Sequence, residues 1–184
     1  MKAPGWDGIL DGDEAILWQG RPDGAVALRP GNIAMVIFGL FFAGFALFWM
    51  IMASQAGGGF WMFGLIHFSV GVGIVWGGLF WGAYRRRRTW YTLTDRRAFI
   101  ASDLPLLGRR LKSWPIGADT ALELDDSTPG SVNFAEERRR GKNGYFMETI
   151  GFERIADAKQ VYRLMRDIQT GGRHAASAER NRDK

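Results

Sequence analysis

The spacing of apolar residues changes twice along the chain, and each change marks a different kind of element. Ile33–Ala53 and Phe60–Ala83 are apolar runs free of Asp, Glu, Lys and Arg, separated only by Ser54–Gly59. A helix of about 21 residues rises roughly 31 Å, close to the roughly 30 Å hydrocarbon core of a bilayer. The pattern predicts a membrane hairpin over residues 33–84, with spans at 33–53 and 60–83. From Thr89 the period becomes two. Thr89–Thr94, Arg97–Ser102, Leu111–Ile116, Ala121–Leu124, Ser131–Ala135 and Tyr145–Phe152 read as short strands, with turns at Asp95-Arg96, Leu106–Gly108, Asp125–Gly130 and Gly141–Gly144. Several short strands at this spacing predict an antiparallel sheet or partly open barrel. After Asp157 the period is helical. Asp157 and Gln160 form a capping-box-like pair, and Val161, Leu164, Met165 and Ile168 make one apolar stripe. Gly171-Gly172 reads as the helix end, leaving 171–184 as a disordered tail without apolar pattern.

Ahead of the hairpin, residues 1–32 read as a polar cytoplasmic segment. Inside it, Ala15-Ile16-Leu17-Trp18 is apolar and is stopped by the turn-forming Gln19–Gly24. Four consecutive apolar residues need a partner surface, so Ala15–Gln19 is expected to extend and dock on the soluble domain or on the membrane interface. Trp49 and Trp61 fall near one expected interface, Trp81 and Tyr84 near the other. Arg21, Arg29, Arg85, Arg86, Arg87 and Arg88 flank the inner ends, while the outer link has no basic residue. The positive-inside rule then gives a multi-pass inner-membrane protein with both termini cytoplasmic. Gly39 with Ala43, Gly73 with Gly77, and Gly78 with Gly82 have the small-xxx-small spacing that lets helices approach. Packing within the hairpin is the favoured use, and a dimer face the other.

Charge sharpens this picture. The 184 residues carry a formal +5, of which residues 1–32 contribute −2 and residues 85–184 contribute +7. A basic domain beside a bilayer is drawn to anionic head groups. With no cysteine and only two histidines, His67 and His174, thiolate chemistry is excluded and no metal site or cofactor is expected. The sequence carries no phosphate-binding glycine loop, nucleophile elbow or HExxH.

The strand run closed by one helix, together with Leu17-Trp18-Gln19-Gly20-Arg21-Pro22, Tyr91–Ile100 and Gly151-Phe152-Glu153-Arg154-Ile155, resembles bacterial PH-like (pleckstrin-homology-like) membrane proteins. The resemblance covers most of residues 9–169. It implies an α+β membrane protein: a two-helix transmembrane hairpin followed, over 85–170, by a PH-like antiparallel β sandwich or barrel capped by a C-terminal α-helix. It brings no catalytic residues. PH domains that bind phosphoinositides use basic residues around the first strand hairpin, and Arg96, Arg97, Arg109, Arg110 and Lys112 lie at the loosely matching positions.

These observations give the candidate residues. Arg85–Arg88 are a topological anchor or a lipid-head-group contact. Glu136–Lys142 is a charged loop, solvated or touching acidic lipid or an acidic partner. His67 lies about 10 Å inside the second span by helical rise, without a carboxylate beside it, and is expected to be neutral and bonded to a neighbouring helix. The expected function is a non-catalytic interaction or assembly module at the inner leaflet, with a protein partner or second copy and no nucleic acid. An anionic-lipid sensor and a membrane enzyme using His67 are the alternatives.

Overall fold

The computed structural model describes residues 5–27, 30–105, 107–141 and 144–182; Arg29, Leu106, Lys142 and Asn143, invoked above, lie outside them. The protein is α+β and divides into two units: residues up to Asp23 together with Arg87 onward, and residues 24–86.

The second unit is a helical hairpin. Helix α1 (Pro30–Gln55) is followed by a short 3₁₀ turn (Phe60–Phe63) and helix α2 (Gly64–Arg87). Gly31–Gln55 and Phe60–Arg87 are long and apolar enough to cross a membrane, and only 22% and 17% of their most apolar stretches are buried within the molecule. The seam is built of small residues. A Cβ on Gly71 would stand 2.7 Å from the Ala43 nitrogen, and one on Gly39 would stand 2.9 Å from Ile74 and Val75. Gly64, Gly71 and Gly78 are all buried, seven residues apart, the repeat that keeps one helix face against its partner. Gly39 and Ala43 thus pack against α2. Gly73 and Gly77 make no such contact: a Cβ on either meets nothing within 4 Å. Their spacing of four is right, but it falls on the helix face turned away from α1.

The first unit is mostly antiparallel sheet. A four-stranded sheet has the order β1 (Ile16–Gly20), β2 (Thr89–Thr94), β3 (Arg97–Leu104), β4 (Gly108–Pro115), and a three-stranded sheet has the order β5 (Glu123–Asp125), β6 (Gly130–Gly141), β7 (Gly144–Ile155). Helix α3 (Ala158–Arg182) follows. The segment at Ala15–Gln19 is therefore part of the sheet: β1 pairs antiparallel with β2 through Trp18↔Leu93 and Gly20↔Tyr91. The chain leaves this sheet after β1, makes the whole helical hairpin, and returns at β2. Strand β1 thus joins the segment ahead of the hairpin to the β-rich unit, with Trp18 beside Leu93 and packed against the core. Asp23, at the exit, is clamped to the end of β7, its N–H donating to the Arg154 carbonyl at 2.7 Å and its carboxylate accepting from the Arg154 guanidinium at 2.7 Å.

Alternation places Tyr91 and Leu93 inward, where they meet Val132, Phe134, Phe152 and Ile155. The Phe152 ring stacks on Tyr91 at 4.7 Å and meets Phe134 edge-on at 5.1 Å. Helix α3 adds Val161 and Met165, both fully buried, flanked by Leu164 and Ile168, so the expected stripe is the packed one. Asp157 precedes the helix, and its carbonyl accepts the Val161 N–H at 3.0 Å.

Element bounds differ from expectation in several places, most of all in two. Helix α3 does not stop at Gly171-Gly172, and 171–182 is helix rather than a disordered tail. Glycine costs only about 1 kcal/mol in a helix, no proline follows, and the next residues are rich in Ala, Glu and Arg. Glu136–Gly141 is strand, not loop, because each residue pairs with β7 as far as Gly141↔Gly144.

Candidate functional site

The charged groups expected to face outward are sorted by their partners. Arg96 and Arg97 sit at the β2–β3 turn, where the N-terminal segment folds back onto them. Arg96 pairs with Asp13, and Arg97 pairs with Glu14 and, at 3.3 Å, with Asp11. Glu14 is buried. It takes the Arg97 Nε–H at 3.1 Å, the Thr94 hydroxyl at 2.6 Å and the Asp11 backbone N–H at 3.1 Å. The Arg97 guanidinium, helped by Thr94 and the Asp11 N–H, holds the Glu14 carboxyl down at about 2 against the burial that opposes it. Asp95 and Ala15 staple the same corner reciprocally, each accepting from the other's backbone N–H, at 3.1 and 3.0 Å. Arg96 and Arg97 are thus committed to holding the N-terminal segment. Sequence reasoning missed this cluster; its trace is the acidic run Asp11, Asp13, Glu14 against a basic pair.

Lys112 is committed as well. Its ammonium donates to Glu137 at 2.9 and 3.2 Å, and Trp114 Nε1–H donates to the same carboxylate at 3.1 Å. These bonds join β4 to β6 and, with Lys112 first, hold the Glu137 pKa below the usual carboxylate range. Arg109 and Arg110 remain exposed on β4, Arg109 lying 3.4 Å from Asp103.

At the end of α2, Arg86 is buried and its guanidinium donates to the Ala25 carbonyl at 2.7 Å. It ties the end of α2 to the segment leading into α1. Arg85, Arg87 and Arg88 are exposed. His67 is exposed too; its Nδ1 lies 3.4 Å from the Phe63 carbonyl one turn back, with the Phe63 and Phe42 rings at 5.3 and 6.2 Å. Its bond is to its own segment rather than to a neighbouring helix, since a helical i−4 carbonyl is within the ring's reach.

The fold also creates a feature the sequence did not announce. Strand alternation puts Trp90 and Thr92 of β2, Phe99 and Ala101 of β3, and Leu111 of β4 on the sheet face opposite the core. The N-terminal segment lies over this face: Leu10 is buried and Trp6 meets Phe99 edge-on at 5.2 Å. Between segment and sheet is a cleft of 610 Å³ with Trp6, Ile9, Trp90, Phe99 and Leu111 in its walls and Asp103, Arg109 and Arg110 beside them. That volume is in the range of small-molecule and peptide-side-chain sites, as is the combination of apolar walls and a few polar groups. Trp90 is also covered by Arg21, whose guanidinium lies 4.8 Å above its ring. In comparisons with known proteins, no family model, no curated protein and no solved structure matches this chain.

Proposed function

We propose that this chain is a two-span inner-membrane protein whose β-rich unit is a PH-like domain on the cytoplasmic side, and that the domain is a non-catalytic binding module. The pairing of β1 with β2 carries the topology. Both ends of the hairpin belong to one sheet, so they share one side of the membrane, which two crossings satisfy and one does not. The outward display of large apolar side chains by α1 and α2 supports lipid as their solvent. The 4 + 3 strand arrangement with a closing helix supports the PH-like reading. The positive-inside distribution of arginines supports the cytoplasmic side.

Binding is assigned to the cleft over the β1–β4 sheet and to the neighbouring edge of β4. Seven of the eight β4 residues are exposed, and such an edge accepts an added strand while side-chain pockets beside it give selectivity. A photo-reactive residue at Leu111 tests this in native membranes. The expected result is a discrete crosslinked partner that the same probe at Asp119, an exposed loop position, does not capture. Uncrosslinked monomer at both positions overturns the module reading.

A second reading has its own observation. Arg85, Arg87 and Arg88 lie exposed where α2 ends, and each cation near an anionic leaflet contributes about 1 kcal/mol. Changing the three to Gln is expected to reduce anionic lipid co-purified with the full-length chain, as read by lipid mass spectrometry. Unchanged lipid composition removes this reading.

A further inference from the structure

The β6–β7 ribbon outgrows its sheet. Strand β5 pairs only with Ser131, Val132 and Asn133 of β6, whereas β6 and β7 continue as partners to Gly141↔Gly144. Beyond Glu137, which β4 holds through Lys112 and Trp114, the described end of the ribbon carries Arg138, Arg139 and Arg140 opposite Met147, Phe146 and Tyr145. Those three apolar residues are consecutive and exposed by 57%, 53% and 62%.

The alternation of a strand then matters. Tyr145 and Met147 point to one face of the ribbon and Phe146 to the other. The arginines alternate in step: Arg138 and Arg140 share the face of Tyr145 and Met147, and Arg139 shares that of Phe146. The Arg138 guanidinium lies 4.2 Å over the Tyr145 ring, and Arg139 pairs with Glu148. A docked protein covers one face of a ribbon and leaves the other wet. Apolar side chains on both faces, each flanked by long cations, suit surroundings that enclose the tip from every side. Strand rise puts Gly144–Met147 over about 10 Å, matching the roughly 5–10 Å depth at which interfacial segments sit between head groups and acyl chains. Arginine stems can lie along the acyl region while their charged ends reach phosphates.

We infer that the β6–β7 tip is a membrane-inserting arm, with Tyr145, Phe146 and Met147 entering an anionic bilayer surface and Arg138 and Arg140 engaging its head groups. The inference rests on the membrane reading above, because anchorage keeps a bilayer at high effective concentration. It adds a second attachment that the two spans do not provide.

The absence of cysteine makes the test direct. Full-length Phe146→Cys and Met147→Cys proteins, each carrying an environment-sensitive fluorophore, are reconstituted into vesicles containing phosphatidylglycerol, with Asp119→Cys as reference. Both ribbon labels are expected to lose at least half their emission to a nitroxide placed shallowly on the lipid, and to become several-fold less accessible to aqueous iodide than the reference. Adding Arg138→Glu and Arg140→Glu reverses this several-fold. Labels at both positions as accessible to iodide as the reference overturn the inference. So does protection at 147 alone, the signature of a one-faced protein contact. Vesicle flotation is read on the same samples: protein that fails to float sinks the anchoring reading itself, whereas floating protein with wet labels sinks only the arm.

Discussion

The two units bury opposite kinds of residue. In the hairpin the buried positions include Ala43, Ala46, Gly64, Gly71 and Gly78, while Phe38, Phe41, Phe45 and Phe48 face outward. In the β-rich unit Leu93, Phe152, Ile155, Val161 and Met165 are inside. The same side-chain types obey different rules because the rules come from the surroundings. In water, removing large apolar surface from solvent drives folding. On the membrane reading proposed above, lipid tails surround the hairpin; there that gain disappears, and close backbone approach through small residues takes over. The sharpest way to break this contrast is to make one substitution in both units. Phe152→Ala is expected to cost roughly 3–5 kcal/mol, read by denaturant unfolding of the β-rich unit in a mild detergent. Phe41→Ala, at 74% exposure, is expected to shift hairpin stability by no more than about 0.5 kcal/mol. Equal costs would mean that the hairpin packs by the same physics as the sheets.

Charge separates the units next. The β-rich unit buries Glu14 against Arg97 and Thr94, 80 or more residues away in sequence, whereas no formal charge interrupts residues 33–84. The Glu14 carboxyl sits at about 2 in the fold against 4.5 ordinarily. Its stabilisation is therefore complete above about pH 4.5 and is lost as pH falls toward 2. Each tenfold change in proton affinity is worth about 1.4 kcal/mol, so roughly 3 kcal/mol is at stake. An acid titration of unfolding free energy should show this slope in the native chain and a flatter one in Glu14→Gln. The hairpin's helical signal should not change over the same range.

A third effect is smaller and lies inside the hairpin. Gly71→Val must place a Cβ against the Ala43 backbone and is expected to cost about 1–3 kcal/mol. Gly73→Val faces open space and is expected to be nearly silent. Thermal loss of helix in micelles distinguishes them, and equal effects would relocate the seam.

This pair also explains what could be read from sequence. Unbroken apolar runs announce helices by themselves, so the two helices were legible, though not their ends: α1 runs from Pro30 to Gln55, and α2 starts only at Gly64 and continues through Arg87. The seam was not, because Gly73 and Gly77 satisfy a spacing rule as well as Gly64, Gly71 and Gly78 do, and only packing against α1 picks between them. Strand β2 was legible to the residue from its alternation, but the partner of Ile16–Gly20 was hidden behind the whole inserted hairpin. The cleft was hidden for the same reason: its floor is a sheet face and its roof is a segment more than 75 residues earlier in the chain. Arg96, Arg97 and Lys112 looked like ligand contacts because a basic side chain carries no mark of its partner, and each partner here is remote in sequence.

The smallest expected effect asks whether exposed charge in the β-rich unit matters at all. Lys112 and Glu137 join the two sheets, but their side chains are 47% and 31% exposed, so water screens the pair. A double-mutant cycle with Lys112→Ala and Glu137→Ala is expected to give a coupling of about 0.2–1 kcal/mol that fades as salt rises. Trp114 should make the single changes unequal. Removing Glu137 also deprives the indole N–H of its acceptor, while removing Lys112 leaves that bond in place, so Glu137→Ala should cost more. A coupling that persists at high salt would mean that this link is shielded like the Glu14 pair. It would also move the boundary between the two kinds of burial out to the rim of the sheets, where the β6–β7 ribbon leaves them.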